Sequence, residues 1–182
     1  MVDIHTTAEE ALSEDLNMLT LYNVISQDWF IADKNGSEEF IPDELWPTTL
    51  ETIKKFDVLV MGRKTYETIQ AYPEGNRAAL EALPIRKIVI TKNNDFHPKQ
   101  GYEVLHTADE IAKLNANVLV SSGPTLNNSL LKERLVDMVI VHQLPVSVGN
   151  GTPVFDPTFQ RSLTLESERG LPPATECIYS VV

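Results

Sequence analysis

Residues suited to binding an anion follow an apolar, strand-like run at 57–62. The run ends at Gly62, and Arg63, Lys64 and Thr65 come next. A helix that begins here offers unpaired backbone N–H groups and the positive end of its dipole. Two cationic side chains and a hydroxyl add to these groups, so the segment predicts an anion site that suits a phosphate. The alternative is a glycine turn with two solvated basic side chains.

Two further segments have a related pattern. An apolar run at 117–122 leads into small residues and a first-turn proline, in the order Ser122, Gly123, Pro124 and Thr125. Small residues let a backbone approach a diphosphate closely, although an ordinary strand–helix turn has the same composition. A third run, 85–91, ends at Thr91 and is followed by Lys92. Two helix N-termini and three cations together suggest a dinucleotide that carries an extra phosphate.

The elements that must position these segments alternate between strand-like and helix-like patterns. Strands are predicted at 16–25, 57–62, 85–91, 101–107, 117–122 and 136–146, with two more within 159–182. Helices are predicted at 43–56, 63–71, 76–82, 108–114 and 124–134, and a loop at 26–42. This order predicts an α/β three-layer sandwich, with a mainly parallel central sheet and antiparallel C-terminal edge strands. Ligands of such sheets bind beyond the carboxyl ends of the strands.

Composition limits the possible partners and compartment. The chain has 182 residues and a net charge of −11, which disfavours nucleic acid and anionic membranes as partners. Its one cysteine, Cys177, allows no internal disulfide, and its four histidines show no metal-ligand spacing, so no metal is expected. The acidic N-terminus lacks a signal-peptide pattern. We expect a cytoplasmic protein with a single domain over 1–182, preceded by a loose arm at 1–15.

The motifs resemble known reductases. MGRKTYETI at 61–69 resembles the MGRxTxxxI segment of dihydrofolate reductases. Residues 119–155 resemble the reductase domain of riboflavin-biosynthesis deaminase/reductases, which carry GGPTL, LVDE and PxxxGxGxPxF, and residues 26–41 resemble their SxDGxIA region. The similarity extends over roughly residues 18–156. It implies a dihydrofolate-reductase-like fold, an NADPH cofactor and hydride transfer, whereas the Rossmann and P-loop glycine motifs are absent.

The resemblance implies roles for the residues at matching positions. Arg63 and Lys92 would contact the 2′-phosphate of NADPH. The remaining cofactor contacts would come from Gly62, Lys64, Thr65, Thr91, Ser122, Gly123, Pro124 and Thr125. The substrate or nicotinamide end would be shaped by Ser26, Trp29, Gly149 and Gly151.

Hydride delivery also needs a proton source, and two carboxyls match positions of interest. Asp28 takes the place of the aspartate in SxDG, and Glu44 lies at a helix start that resembles the PxDL of folate reductases. Asp28 could instead be a turn-forming aspartate, and Glu44 could simply be a first-turn residue that the helix dipole favours.

Three departures from the family pattern keep the function open. Ser122 and Trp29 each replace a glycine, and Arg86 is displaced by one position from the arginine that grips the folate tail. We expect an NADPH-dependent oxidoreductase like 5-amino-6-(5-phosphoribosylamino)uracil reductase, of the riboflavin-pathway type. It would act on a ribosylamino-pyrimidine phosphate or a similar small heterocycle. The alternatives are a dihydrofolate reductase and a non-catalytic ligand-binding relative with weakened cofactor binding. Relatives of this kind are often homodimers.

Overall fold

The computed structural model describes residues 17–182, so the predicted arm at 1–15 lies outside the described residues. Ten strands are present in this part: β1 (Leu19–Ile25), β2 (Phe30–Asp33), β3 (Val58–Gly62), β4 (Arg86–Ile90), β5 (Glu103–Leu105), β6 (Val118–Val120), β7 (Met138–Gln143), β8 (Gly151–Pro153), β9 (Leu163–Leu171) and β10 (Ala174–Val181). The α-helices are α1 (Trp46–Ile53), α2 (Arg63–Gln70), α3 (Glu74–Glu81), α4 (Ala108–Ala112) and α5 (Pro124–Lys132). None of these helices is long and apolar enough to cross a membrane.

Eight strands form one central sheet in the order β5-β4-β3-β6-β1-β7-β10-β9. The first six are parallel to one another, and β10 and β9 are antiparallel at the C-terminal edge. Strands β3, β6 and β1 are apolar over nearly their whole length because both of their faces are buried, which is usual for parallel sheets. The predicted fold class is confirmed.

Helices cover both faces of the sheet and complete three layers. Buried residues of α4 and α5, among them Ile111 and Leu130, pack on the face that carries Leu21 and Val60. The opposite face carries Leu59 and is packed by α1, α2 and α3. Helices α2 and α5 therefore lie on opposite sides of the same central strands.

The predicted loop at 26–42 is wrong in part, because β2 lies within it. Strand β2 pairs with β8 in a separate antiparallel two-stranded sheet, with Asp33 opposite Gly151. Four residues are too few to show a clear alternation of polar and apolar side chains. The partner strand is also more than a hundred residues away, so no local turn signals the pairing.

The predicted helix at 43–56 is shorter than expected. A 3-10 turn covers Asp43–Leu45, and the α-helix begins at Trp46 with Pro47 in its first turn. Proline lacks the backbone N–H that would continue a helix from upstream, and it is tolerated in a first turn. The proline therefore marks the start of the helix rather than a kink inside it.

A chain of buried polar groups ties the antiparallel edge to the parallel core. Glu176 accepts from His142 Nε2 at 3.0 Å and from Arg169 at 2.8 Å. The other ring nitrogen of His142 bonds the Tyr22 hydroxyl at 2.9 Å, and that hydroxyl also donates to Thr49 of α1 at 3.1 Å. Removing the Glu176 carboxylate would leave the buried His142 Nε2 without its hydrogen-bond acceptor.

We expect Glu176→Gln to lower the free energy of unfolding at neutral pH by about 2 kcal/mol. The hydrogen bond from His142 lowers the pKa of Glu176, burial opposes that shift, and Arg169 reinforces it. A lowered folded-state pKa gives stability that is present above the unfolded value of 4.5 and is lost as the pH falls below it.

The measurement is urea unfolding across acidic and neutral pH. The difference in stability between the two proteins should shrink as the pH falls, whereas the exposed control Glu168→Gln should follow the wild type throughout. Superimposable pH profiles for wild type and Glu176→Gln would contradict a charged carboxylate at this position.

Candidate functional site

The predicted anion-binding segments lie next to one another along one edge of the sheet. Strands β4, β3, β6 and β1 are adjacent and parallel, so the residues that follow them meet at the carboxyl edge, the side where these strands end. In order along this edge come Thr91 and Lys92, then Gly62 and Arg63, then Ser122 and Gly123, then Ser26 and Asp28. With strands about 4.8 Å apart, the row is about 14 Å long.

The two central junctions of this row are in direct contact. The Gly62 N–H donates to the Ser122 hydroxyl oxygen at 3.1 Å, across sixty residues of sequence. A Cβ atom at Gly62 would lie only 2.8 Å from that same oxygen. A larger residue at position 62 would therefore crowd the side chain of Ser122, which follows β6, and that side chain would have to shift.

Two helices begin at these junctions, one from each face of the sheet. Gly62 is the N-cap residue of α2, and Gly123 is the N-cap residue of α5, which has Pro124 in its first turn. No side chain caps either helix, so the N–H groups of both first turns keep their capacity to bind an anion. Thr65 lies in the first turn of α2, and Thr125 in that of α5.

Two asparagines that the sequence analysis missed hold the Ser122 turn from behind. The carbonyl oxygen of Ser122 accepts from the Asn23 amide at 2.8 Å and from the fully buried Asn127 amide at 3.2 Å. Asn127 also donates to the Val154 carbonyl at 2.9 Å and to Asn23 Oδ1 at 3.2 Å. A polar residue inside the apolar run of β1 was the available sequence signal for Asn23.

The cations of the row are exposed, and Arg63 is oriented by a neighbour. Its Nε donates to Glu67 Oε1 at 2.9 Å, one helical turn further along α2. Within residues 17–182 its terminal guanidinium nitrogens have no hydrogen-bond partner, so they can bind a phosphate in bidentate fashion. The side chains of Lys64 and Lys92 are also exposed. The Thr91 carbonyl is bonded by His106 Nδ1 at 2.7 Å.

Asp28 connects the turn after β1 to the loop after β7. Its carboxylate accepts from the Ser26 hydroxyl at 2.6 Å and from the N–H groups of Val148 at 3.0 Å and Gly149 at 2.7 Å. Burial raises the pKa of Asp28, but these hydrogen bonds outweigh burial and lower the pKa to about 2. The geometry favours a role in fixing the loop, and the assignment of Asp28 as a proton donor stays a prediction.

Trp29 has a backbone conformation that favours glycine. Its φ is 68°, in the left-handed region that is unfavourable for bulky residues. Its indole packs against Phe155 and Tyr179, with ring centroids 5.7 Å away in each case. This packing directs the ring into the core cluster, so the structure gives no support to Trp29 as a substrate contact, which stays a prediction.

Both glycines of the predicted substrate loop are needed by the backbone. Gly149 has a φ of 79°, and its N–H bonds Asp28. At Gly151, a Cβ atom would lie 2.1 Å from the Ala32 carbonyl oxygen, because β8 and β2 approach closely there. The loop that contains these glycines is therefore held next to the turn after β1.

Glu44 lies apart from the row of anion-binding segments. It is exposed on the 3-10 turn before α1, and the next residue, Leu45, packs against Leu144 and Ala174. Leu144 directly follows β7, so this turn stands at the β7 end of the carboxyl edge. Its role as an acid stays a prediction.

A surface hollow at the opposite, amino edge of the sheet does not suit an anion. Its lining residues are Asn17, Met18, Leu19, Ile111, Ala112, Asn115, Ala116, Val118, Leu135 and Asp137. They include a carboxylate and no cation. The carboxyl edge is therefore the stronger candidate site.

The fold and the row of N–H groups, hydroxyls and cations define an α/β protein with an extended candidate anion site along one edge of its sheet. Residues 17–173 match the family of the RibD C-terminal domain, and the chain belongs to this family. A dihydrofolate reductase of Staphylococcus aureus is 33% identical over 108 residues, which are 58% of this chain and 60% of that protein. The chain thus spans less than two thirds of the length of this curated relative.

Solved structures agree on the fold. A diaminohydroxyphosphoribosylaminopyrimidine deaminase/5-amino-6-(5-phosphoribosylamino)uracil reductase from Thermotoga maritima aligns with a TM-score of 0.67 and 16% identity, over 91% of this chain and 56% of that chain. A dihydrofolate reductase from Enterococcus faecalis, complexed with NADP(H) and RAB-propyl, aligns with a TM-score of 0.66 and 20% identity, over 91% and 96%. The chain has the dihydrofolate-reductase-like fold that its motifs imply.

The contact between the two junctions predicts a specific mutational coupling. Gly62→Ala should lower the free energy of unfolding by about 1–3 kcal/mol, because the new methyl group collides with Ser122 Oγ. Combining it with Ser122→Ala removes the colliding oxygen and should recover part of that loss. Chemical denaturation of the wild type, both single variants and the double variant measures this coupling. Strictly additive effects would contradict the observed contact.

Proposed function

We propose that the protein is an NADPH-dependent reductase that transfers a hydride to a small heterocyclic substrate. The observation that carries the proposal is the row along the carboxyl edge. Lys92 stands at one end, the two uncapped helix N-termini lie in the middle with Arg63 and Lys64 at the first of them, and a loop held by Asp28 stands at the other end. This order matches a ligand with a terminal phosphate, a central diphosphate and a reactive group beyond it.

The residues present fit such a cofactor. Arg63, oriented by Glu67, and Lys92 would hold the 2′-phosphate, while Lys64 and the first turns of α2 and α5 would hold the diphosphate. Gly123 leaves room for close approach, since a Cβ atom there would have its nearest neighbour at 3.9 Å. NADPH supplies the hydride when bound, and the protein supplies orientation and electrostatics.

The proposed substrate is a ribosylamino-pyrimidine phosphate, as in the riboflavin pathway. Family membership supports this, and the Thermotoga maritima neighbour is named for a reductase acting on 5-amino-6-(5-phosphoribosylamino)uracil. The loop at 146–149 and the turn at 26–28 would border the substrate, because they end the row beyond the diphosphate position.

Of the two carboxyls, Asp28 is poorly suited to donating a proton, and Glu44 stays the other candidate. The pKa of Asp28 is lowered to about 2 by its hydrogen bonds, after the opposing effect of burial, so it is ionised at neutral pH. Glu44 stands exposed at the same end of the carboxyl edge. A donor must hold a proton at the working pH and reach the reacting atom.

The cofactor assignment predicts a difference between two nucleotides. Arg63→Gln should weaken NADPH binding about tenfold, because a hydrogen-bonded charge contact to the 2′-phosphate is lost. NADH lacks that phosphate, so its affinity should stay unchanged. Titration calorimetry, or quenching of the intrinsic tryptophan fluorescence, measures both dissociation constants.

The matched control is Arg161→Gln, which removes another exposed arginine, in the 3-10 turn at Pro157–Ser162. It should leave both dissociation constants at their wild-type values. An equal loss of NADPH and NADH affinity in Arg63→Gln would contradict the proposed contact between Arg63 and the 2′-phosphate.

A dihydrofolate reductase is the second candidate. The identity to the Staphylococcus aureus enzyme and the position of Glu44 favour it. Against it, Arg86 makes a bidentate pair with Glu103, at 2.8 and 2.9 Å, which occupies the arginine nearest to the folate-tail position. A non-catalytic relative is the third candidate, and the replacement of glycine by Ser122 and Trp29 is its support.

The substrate class is tested by following the absorbance of NADPH. The full chain should oxidise NADPH when 5-amino-6-(5-phosphoribosylamino)uracil is added and should be inactive with dihydrofolate. Turnover of dihydrofolate alone would favour the second candidate. NADPH binding without oxidation by either compound would favour the third.

A further inference from the structure

The Ser122 hydroxyl has one hydrogen whose acceptor is not accounted for within residues 17–182. The oxygen of this hydroxyl accepts from the Gly62 N–H at 3.1 Å, and the hydroxyl donates to no group of the described chain. The residue is only 7% exposed. A buried hydroxyl normally uses its donor as well as its acceptor capacity.

The hydroxyl is held in place from two sides. Asn23 and Asn127 fix the carbonyl of Ser122, and the Gly62 N–H fixes its side-chain oxygen. Rotation of the side chain away from Gly62 would leave that N–H without its acceptor, which is costly in a buried position. The only freedom left is rotation of the hydrogen about the Cβ–O bond.

The position of the hydroxyl lies between the starts of two helices. Gly62 caps α2 and Gly123 caps α5, and neither helix has a side-chain cap. The positive ends of both helix dipoles therefore attract any anion bound there, and that anion accepts the hydrogen that the Ser122 hydroxyl has left to donate. The Ser122 O–H would therefore bond the same anion as the first-turn N–H groups of the two helices.

We propose that Ser122 Oγ donates its hydrogen to the diphosphate of the bound dinucleotide, in place of the Gly62 N–H that the serine covers. The inference rests on the proposed function and extends it. The hydroxyl takes over the donor role of the Gly62 N–H toward the ligand. Its oxygen accepts from that N–H, and its hydrogen bonds a phosphate oxygen. A glycine at position 122 would leave the Gly62 N–H without this acceptor, so that it can bond the ligand itself.

This assignment separates two kinds of nucleotide contact. NADPH and NADH share the diphosphate, whereas adenosine 2′-monophosphate has the 2′-phosphate and lacks the diphosphate. Loss of the Ser122 donor should thus affect both dinucleotides by the same factor and leave adenosine 2′-monophosphate unchanged. Loss of Arg63 should affect NADPH and adenosine 2′-monophosphate and leave NADH unchanged.

The experiment measures the dissociation constants of these three nucleotides by calorimetry, with circular dichroism and thermal melting as checks of folding. Ser122→Ala should weaken NADPH and NADH about tenfold each, because a hydrogen bond to a charged group is lost. Ser122→Gly should stay near the wild type, since it uncovers the Gly62 N–H as a replacement donor. The matched control is Ser129→Ala, which removes a serine hydroxyl further along α5, where it bonds Glu133.

The outcomes separate this inference from the proposed function. Unchanged or tighter dinucleotide binding by folded Ser122→Ala overturns the role of the hydroxyl, as does a marked gain of affinity in Ser122→Gly, which would show that the side chain crowds the ligand. In both cases the cofactor assignment stands, because the wild type binds. Wild-type protein that binds neither dinucleotide overturns the proposed function and this inference with it.

Discussion

The parallel pairing of β4, β3, β6 and β1 is the constraint on which the candidate site depends. Parallel strands end at the same side of a sheet, so the segments that follow them lie close together even when they are far apart in sequence. No direct attraction between these segments is needed. Sixty residues separate Gly62 from Ser122, yet an N–H of one bonds the hydroxyl of the other. Every further feature of the site, from the exposed cations to the pinned loop, is ordered by the sequence of strands along this edge.

The site combines a rigid base with adaptable charges. Ser122 is held through its carbonyl by two asparagine amides and through its hydroxyl by Gly62, so the central turn has little freedom. Arg63 and Lys92 are exposed and can adjust to a ligand. A rigid centre with fixed donors reduces the reorganisation that accompanies binding, whereas long cationic side chains add attraction and selectivity.

The proposed substrate end of the edge is built by loops rather than by strands of the central sheet. Asp28 gathers the Ser26 hydroxyl and two backbone N–H groups of the loop after β7, and the small β2–β8 sheet holds that loop from the other side. Trp29 shows how the chain departs from the family here. Its backbone lies in the left-handed region that favours glycine, and its large ring packs against Phe155 and Tyr179, so packing compensates a backbone conformation that is unfavourable for tryptophan.

Local sequence determined the elements that are long or sharply bounded. The strand ending at Gly62, the helix start at Pro124 and the alternation of strands and helices all follow from apolar runs, glycines and prolines. Only the tertiary structure decided which strands are neighbours, that β2 pairs with β8, and that Asp28 is a clamp bonded to Val148 and Gly149. The reason is physical, because these features arise from contacts between residues that are not close in sequence, and strand register and side-chain direction are set by packing rather than by local preference.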